Sequence, residues 1–461
     1  MKSSLINLSF VFCMLVFCVA LSMSPRPSDD VASSRGYSNL RWGPFVVTMN
    51  WDGLEALLWA NEPSRLLYSS NRAGIQNRPM HIIPYYIVKQ PLDLLLKLWD
   101  PQIKYNKQGF NIQQSNQENG KNLNAPLWIS GFLAYLFGDF VFLYIAFILY
   151  WDILDKNGIL SNRTNKILAF FIGLLIIFNP TVSKIIFTPH CSLLNVTLPI
   201  YFAWVFHECA YGDMLIKNNI FSISVLFGLL VLLYPLAILY IPITITAFFW
   251  RAILDKNASE NKKYFSKILI SSLITIFPGI FWVVFYYLYT GNSLWMGNYN
   301  NDRSIIWMYY AWQSGWINLI NELMRNILSI FVASLSKMPA QGIILTASLL
   351  HGAFNKQNFN KTMSKLFGVG LTVSGIIMTF YVIVGNRGSG LMRSYALIPS
   401  FLPFLAHAAC TAFETSSKSN KIIIYTVTLA VVGVGIYTSY FIDFFELTDG
   451  YQFYDKFPPV Y

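Results

Sequence analysis

The stretch TMNWDGLEALLWANEPSRLL, residues 48–67, sets Asp52 and Glu55 three residues apart beside Trp51 and Trp59, in a chain with only 12% charged residues. On a helix this spacing brings both carboxylates to one face, one turn apart. Two uses of the pair are open. Asp-x-x-Glu ahead of the apolar ALLWA is the pattern of a capping box, with Asp52 as N-cap and Glu55 at the third helical position. The same pair, at a helix start above a membrane surface, is placed to take a proton from a substrate hydroxyl as a general base. Asp29 and Asp30, in SPRPSDDVASS, are a competing acidic pair whose Ser and Pro neighbours favour a solvated linker.

Cations that can meet an anion lie elsewhere. In GNRGSGLMRSYALIPSFLPF, residues 385–404, Arg387 and Arg393 flank glycines, and Arg393 opens an apolar run. A guanidinium beside a helix N-terminus is an anion site, and an arginine at a membrane interface is also an anchor. Arg72 and Arg78, in NRAGIQNRPM, can hold a phosphate or snorkel to anionic lipid. His190, in FTPHCSLLN, falls in a short turn on the same side as these arginines. Residues 292–322, which include Trp312, are dense in Trp and Tyr with Asn and Gln between. Such a segment suits sugar rings, and equally an aromatic belt at the interface. His207 and Glu208 fall near the opposite end of a span and receive no role. The five cysteines show no CxxC and no His at metal-ligand spacing, so no metal site is read, and they count as small core residues.

The elements that must position these residues follow from composition. The chain has 461 residues, of which 55% are hydrophobic and 17% aromatic, and its mean hydropathy is +0.46. It lacks the polar surface of a soluble domain, which makes it an all-α polytopic membrane helical bundle. The net charge of +11 sits in loops between apolar runs and forms no nucleic-acid-binding stripe. About 20 apolar residues cross a bilayer, and by that measure about eleven spans are expected: 5–22, 128–152, 167–183, 192–209, 218–234, 236–250, 268–290, 326–353, 366–384, 395–413 and 422–443. Pro235 and Pro242 divide 218–250, and SKMPAQ breaks 326–353.

The expected organisation is a first transmembrane helix over 1–23, read as an uncleaved span although a signal peptide also fits. An external loop with interfacial helices follows over 24–127, then a multi-span domain over 128–443 and an external tail over 444–461. From Met80 onward, apolar residues recur at helical spacing with interruptions at Pro84 and Pro91, as for pieces lying on the membrane surface. Basic loops at 155–166, 251–267, 355–365 and 416–421 fall on one side. By the positive-inside rule that side and the N-terminus are cytoplasmic, and the setting is a bacterial inner membrane.

A first span, a long external loop with an acidic helix start, the Arg-Pro of GIQNRPM, further spans and the late external RSYALIP together resemble the GT-C superfamily of integral-membrane glycosyltransferases. The likeness covers most of the chain as architecture and few residues as motif. It implies transfer of a sugar from a polyprenyl-phosphate carrier to a glycan, lipid or protein acceptor on the external face, with inversion. Asp52 or Glu55 would be the base, and Arg393, helped by Arg387 or Arg78, would hold the carrier phosphate. His190 and Trp312 complete the candidate substrate contacts. A divalent metal is compatible with this chemistry and no motif demands one. The alternatives are a transporter or flippase of a lipid-linked glycan, and a carrier-dependent glycan polymerase or ligase that uses no catalytic carboxylate. A transporter should carry ionisable groups well inside its spans, and the spans as read have almost none away from their ends.

Overall fold

A backbone in lipid must satisfy its own hydrogen bonds, so apolar runs become helices. The computed structural model describes residues 3–24, 28, 37–42, 45–67, 78–99, 125–189, 191–255, 258–291, 306–354, 361–384 and 394–441. Among them are sixteen α-helices and one two-stranded antiparallel hairpin, β1 (Tyr37–Trp42) and β2 (Phe45–Asn50), with Tyr37 opposite Asn50 and Trp42 opposite Phe45. The hairpin departs from the all-α expectation. Val46, Val47 and Thr48 supply its β-branched run.

Seven helices are long and apolar enough to cross a membrane: Ser4–Ser22, Ile129–Lys156, Pro235–Leu254, Glu260–Thr290, Lys361–Ile383, Ser394–Thr415 and Lys418–Tyr440. An eighth exists if Trp316–Leu335 and Pro339–Ser348, bent by 104° at their junction, form one broken span. The count of about eleven is therefore corrected among the described residues, and the three shortfalls have local causes. In place of 167–183 the chain makes α5 (Arg163–Leu174), a break, and α6 (Pro180–Ile185), whose start is fixed by Asn179 accepting from the Val182 N–H and by Pro180 in the first turn. In place of 192–209 stands α7 (Leu194–Ala210), 17 residues enclosed almost entirely by protein. In place of 218–234 stands α8 (Asn219–Leu233), 15 residues ending at Tyr234, which is extended because Pro235 follows. Hydropathy reads a buried short helix and a lipid-facing span alike.

The first span, α1 (Ser3–Ser22), buries Ile6, Phe10, Met14, Phe17 and Leu21 and exposes Leu8, Phe12, Leu15 and Val19. Its buried stripe meets α4 (Ala125–Lys156), where the Phe10 and Phe147 rings stack at 4.0 Å. The helix α2 (Trp51–Asn61) follows the hairpin directly and packs on α4. The expected interfacial pieces are one helix, α3 (Ile83–Trp99), which carries Pro91 inside it. Ile83, Ile87, Leu94 and Leu98 are exposed along one side. On the other, Lys89 Nζ meets Asp93 Oδ2 at 2.9 Å and Ser130 donates to Asp93 Oδ1. Tyr85 fits against Gly138 of α4, where a Cβ would stand 2.6 Å from the Tyr85 hydroxyl.

The remaining helices are α9 (Tyr240–Leu254), α10 (Ala258–Thr290), α11 (Ile306–Gln313), α12 (Trp316–Lys337), α13 (Pro339–Phe354), α14 (Lys361–Val384), α15 (Leu402–Thr415) and α16 (Lys418–Phe441). Two interrupted segments meet inside the bundle. Gln341 donates to the Leu175 carbonyl at 2.8 Å and Thr181 to the Lys337 carbonyl at 3.3 Å, so each break satisfies backbone groups of the other. Gly435 of α16 lies against the same junction, where a Cβ would come 2.6 Å from the Phe178 carbonyl.

The bundle has two distinct ends. At one, Asn157, Asn165, His207, Lys365 and Glu414 are linked by side-chain hydrogen bonds or lie beside residues that are. We call it the basic end, since the Lys- and Arg-rich segments 155–166 and 361–365 adjoin it. The other, which carries α2 and the β-hairpin, is the hairpin end.

Candidate functional site

At the hairpin end the hydroxyls of three tyrosines from three distant segments converge on one amide. Asn195, in the first turn of α7, accepts from Tyr234 at 2.8 Å and from Tyr381 at 2.7 Å through Oδ1, and its Nδ2 donates to the Tyr395 hydroxyl at 3.2 Å. Tyr395 also donates to the Ser192 carbonyl at 3.4 Å. Local backbone explains the convergence: Tyr234 sits at the extended corner between α8 and the turn Pro235–Leu239, Tyr381 near the end of α14, and Tyr395 in the short turn Ser394–Leu397.

Two cations flank this hub. The Arg78 guanidinium lies over the Tyr234 ring at 5.7 Å, and the Lys337 ammonium over the Tyr395 ring at 6.0 Å. Arg78 precedes Pro79 and its backbone, at φ −128° and ψ 60°, lies outside the helical region. Lys337 ends α12 where Met338, ahead of Pro339, leaves the helical region. A cation above a ring is held by its face, while the N–H groups of a guanidinium fan out in its plane, a geometry suited to phosphate oxygens.

Beside Arg78 a second cluster forms. Tyr135 of α4 donates to the His81 carbonyl at 2.7 Å and approaches the Ala56 carbonyl of α2 at 3.5 Å. Its ring stacks on Tyr85 at 3.8 Å. Burial pushes the His81 imidazole down to a pKa of about 3, the Arg78 charge adds to this, and a hydrogen bond with the Pro189 backbone opposes it. His81 is therefore neutral at physiological pH. The Phe132 and Phe187 rings, 6.0 Å apart, bring the turn at 187–189 onto α4.

One buried carboxyl belongs to this region and corrects the view that the spans lack internal ionisable groups. Asp139 of α4 is 7% exposed. It makes no hydrogen bond or ion pair among the described residues.

The residues singled out from sequence are distributed as follows. Arg78 is in the cluster. Asp52 and Glu55 lie on α2, but the helix starts at Trp51, so Asp52 falls inside the first turn and is not its N-cap. Their side chains lie outside what the structure describes. Trp312, in α11, is 66% exposed, with the Trp316 ring 6.5 Å away, edge-on. Arg387, Arg393, His190 and the Asp29–Asp30 pair lie outside the described residues. Among the described residues no group of three or more His, Cys, Asp or Glu assembles as metal ligands. Asn195, Tyr234, Tyr381, Lys337 and Asp139 were not found by sequence reasoning. Asp139 alone had a signal there, as a carboxylate inside the apolar LAYLFGDFVFLY.

The basic end is built differently. Lys156 bridges Asp152 at 2.8 Å and Glu208 at 3.0 Å, and Asp152 also accepts from Trp204 Nε1 at 2.8 Å. His207 lies between Glu208 at 3.2 Å and Asn157 at 2.9 Å, while Lys365 donates to Asn157 at 2.9 Å and covers the Tyr211 ring at 4.3 Å.

Fold and site define an α-helical bundle of membrane type with a tyrosine–cation cluster at one end. No protein-family model, curated protein or solved structure matches the chain.

Proposed function

We propose that the hairpin end is the active site of a GT-C-type membrane glycosyltransferase that uses a polyprenyl-phosphate-linked sugar and inverts the anomeric centre. The single observation that carries the reading is the cation–tyrosine cluster: Arg78 over Tyr234 and Lys337 over Tyr395, joined through Asn195, at one end of a membrane bundle. The acceptor oxygen bonds to the anomeric carbon, the carbon–oxygen bond to the carrier phosphate breaks, and its electron pair leaves on the phosphate. Arg78 meets that charge, with Arg393 and Arg387, just ahead of Tyr395 in the chain, as further cations. Carboxylates of this end, Asp52 and Glu55, supply the proton acceptor. Trp312 and His190 are proposed to contact the sugar and the acceptor. The hairpin end faces outward and the basic end the cytoplasm, as in a bacterial inner membrane.

Asp139 favours a second reading, a transporter or flippase of a lipid-linked glycan, since membrane-embedded carboxyls mark such routes. One experiment separates the two. Proteoliposomes are given a panel of polyprenyl-phosphate hexoses together with mixed glycan and lipid acceptors. Release of polyprenyl phosphate is expected, with a loss in the Arg78→Ala variant. Movement of intact donor across the bilayer without release would replace the transferase with the transporter.

A further inference from the structure

Of the seven spans, Glu260–Thr290 of α10 is the least enclosed by protein. What it turns outward is not uniform. Phe277, Phe281, Phe285 and Tyr289, four residues apart, are all exposed, and their rings follow one another at 6.3, 6.3 and 6.0 Å with neighbouring planes 29°, 14° and 21° apart. This ladder runs about 18 Å along the helix, more than half of a hydrocarbon core of about 30 Å. The exposed Leu273, Ile280, Val284 and Leu288 of the same helix are aliphatic, as are most residues that α1 and α16 turn outward. An interfacial aromatic belt accounts for Tyr289. It does not account for Phe281 and Phe277, which lie about 12 and 18 Å deeper along the helix.

At the hairpin end the ladder meets the tyrosine–cation cluster. Steps of four residues advance about 40° around a helix, so the ladder winds toward the side of Trp282, whose ring stands 5.7 Å from that of Phe285. Trp282 packs against the buried set Trp59, Leu66 and Ile82. Ile82 and Arg78 cap the two ends of one short turn, Pro79–His81. The neighbouring helix closes the corner: α8 approaches α10 at Gly228, where a Cβ would stand 3.0 Å from Pro278 Cγ, and ends at Tyr234, under the Arg78 guanidinium. A single turn thus sets a cation at one end and the seat of the aromatic helix at the other.

We propose that the aromatic ladder of α10 seats the isoprenoid chain of the carrier, with the phosphate of that carrier at Arg78. An isoprenoid repeats a flat, methyl-branched alkene that can lie against ring faces, whereas a saturated acyl chain offers no flat unit to them. Arg78 supplies the matching charge where the ladder ends. The assignment rests on the reading that Arg78 meets the carrier phosphate, and extends it from the head of the carrier to its chain.

The test measures binding of two labelled probes to the full-length protein in phospholipid nanodiscs: undecaprenyl phosphate, and geranyl phosphate, whose chain is too short to follow the ladder. Combining Phe277→Leu, Phe281→Leu and Phe285→Leu keeps the surface apolar and removes the rings. Affinity for undecaprenyl phosphate is expected to fall about tenfold with that for geranyl phosphate unchanged, while Arg78→Ala weakens both. Unchanged affinity of the triple variant for undecaprenyl phosphate overturns the proposal, as does an equal loss for the two probes. A triple variant that keeps its affinity but loses a self-association present in wild type would give the ladder to a second copy of the chain, and overturns it too. Should the triple variant fail to fold, wild-type protein is photolabelled with undecaprenyl phosphate carrying a diazirine in its chain and mapped by peptide mass spectrometry. Labels are expected within residues 277–289, displaced by undecaprenyl phosphate and not by phosphatidic acid. Labels spread alike over α1, α10 and α16, or displaced equally by phosphatidic acid, overturn the proposal. Wild-type protein that binds neither probe, or an Arg78→Ala variant that binds both as wild type does, would instead overturn the carrier-phosphate reading itself.

Discussion

The two ends of the bundle both gather polar side chains around α7, and they do so in opposite ways. At the basic end charges answer charges: Lys156 sits between Asp152 and Glu208, and Glu208 also faces His207. At the hairpin end the cations Arg78 and Lys337 are set over tyrosine rings, and the hydroxyls of those rings are taken up by Asn195. A closed ion-pair network fixes helices to one another. Cations held by ring faces are pre-positioned while a strong anion can still outcompete the ring for them. Asn195 and His207 lie twelve residues apart on the same helix, about 18 Å at 1.5 Å per residue. The contrast is between an ion-paired end and a tyrosine–cation end of one scaffold.

Removing Arg78 is expected to break the comparison most strongly. Arg78→Ala should weaken binding of a polyprenyl-phosphate hexose about ten- to hundredfold, matching about 1.5–3 kcal/mol for a charge-assisted hydrogen bond, with normal membrane levels. Filter binding with labelled donor measures it. Next is the hub: Asn195→Leu leaves the Tyr234, Tyr381 and Tyr395 hydroxyls without their shared partner. It should cost about 1–3 kcal/mol, seen as a lower Tm in detergent together with weaker donor binding.

A smaller effect follows from His81. Its folded pKa of about 3 lies below the ordinary 6.5, so as the pH falls the unfolded chain takes up the proton first. His81 thus contributes stability that is fully present above pH 6.5 and is lost between 6.5 and about 3, at up to about 1.4 kcal/mol per pH unit. Replacing His81 by Phe should flatten that part of the Tm–pH curve. At the basic end, Glu208→Gln should lower stability by about 1 kcal/mol, because Lys156 is partly solvated, and should leave donor affinity unchanged. A large loss of donor affinity there would erase the distinction between the ends. Trp312→Ala should change affinity least, by about twofold or less, since the ring is largely exposed and surface substitutions typically act within about 0.5 kcal/mol. Equilibrium binding would detect more.

What the sequence made legible was mostly what apolar length and composition dictate: a helical membrane protein, the first span, the long spans of α4, α10, α14 and α16, and the break at SKMPAQ. The overcount arose where Asn179-Pro180 and Pro235 cut apolar runs into helices too short to span, a distinction that depends on what surrounds them. The hairpin was missed because its strands are only six residues long. Of the residues in the tyrosine–cation cluster, Arg78 alone was singled out from sequence, through its Arg-Pro signature. The tyrosine hub draws on positions 195, 234, 381 and 395, and no local spacing records an encounter between residues so far apart in the chain. Lys337 looked like an ordinary helix-end lysine. Asp139 was legible and overlooked, a single carboxylate in an apolar run whose depth emerges only once α3 and α1 are seen to flank it.

The most direct test of the proposed carrier-phosphate site is photocrosslinking with a diazirine-bearing polyprenyl phosphate in proteoliposomes, read by peptide mapping. Crosslinks are expected in the peptides containing Arg78, Tyr234, Tyr381 and Tyr395, saturable and lost in Arg78→Ala. Crosslinks concentrated around Lys156, His207 and Lys365, or a pattern indifferent to Arg78→Ala, would contradict the assignment of the carrier-phosphate site to the hairpin end.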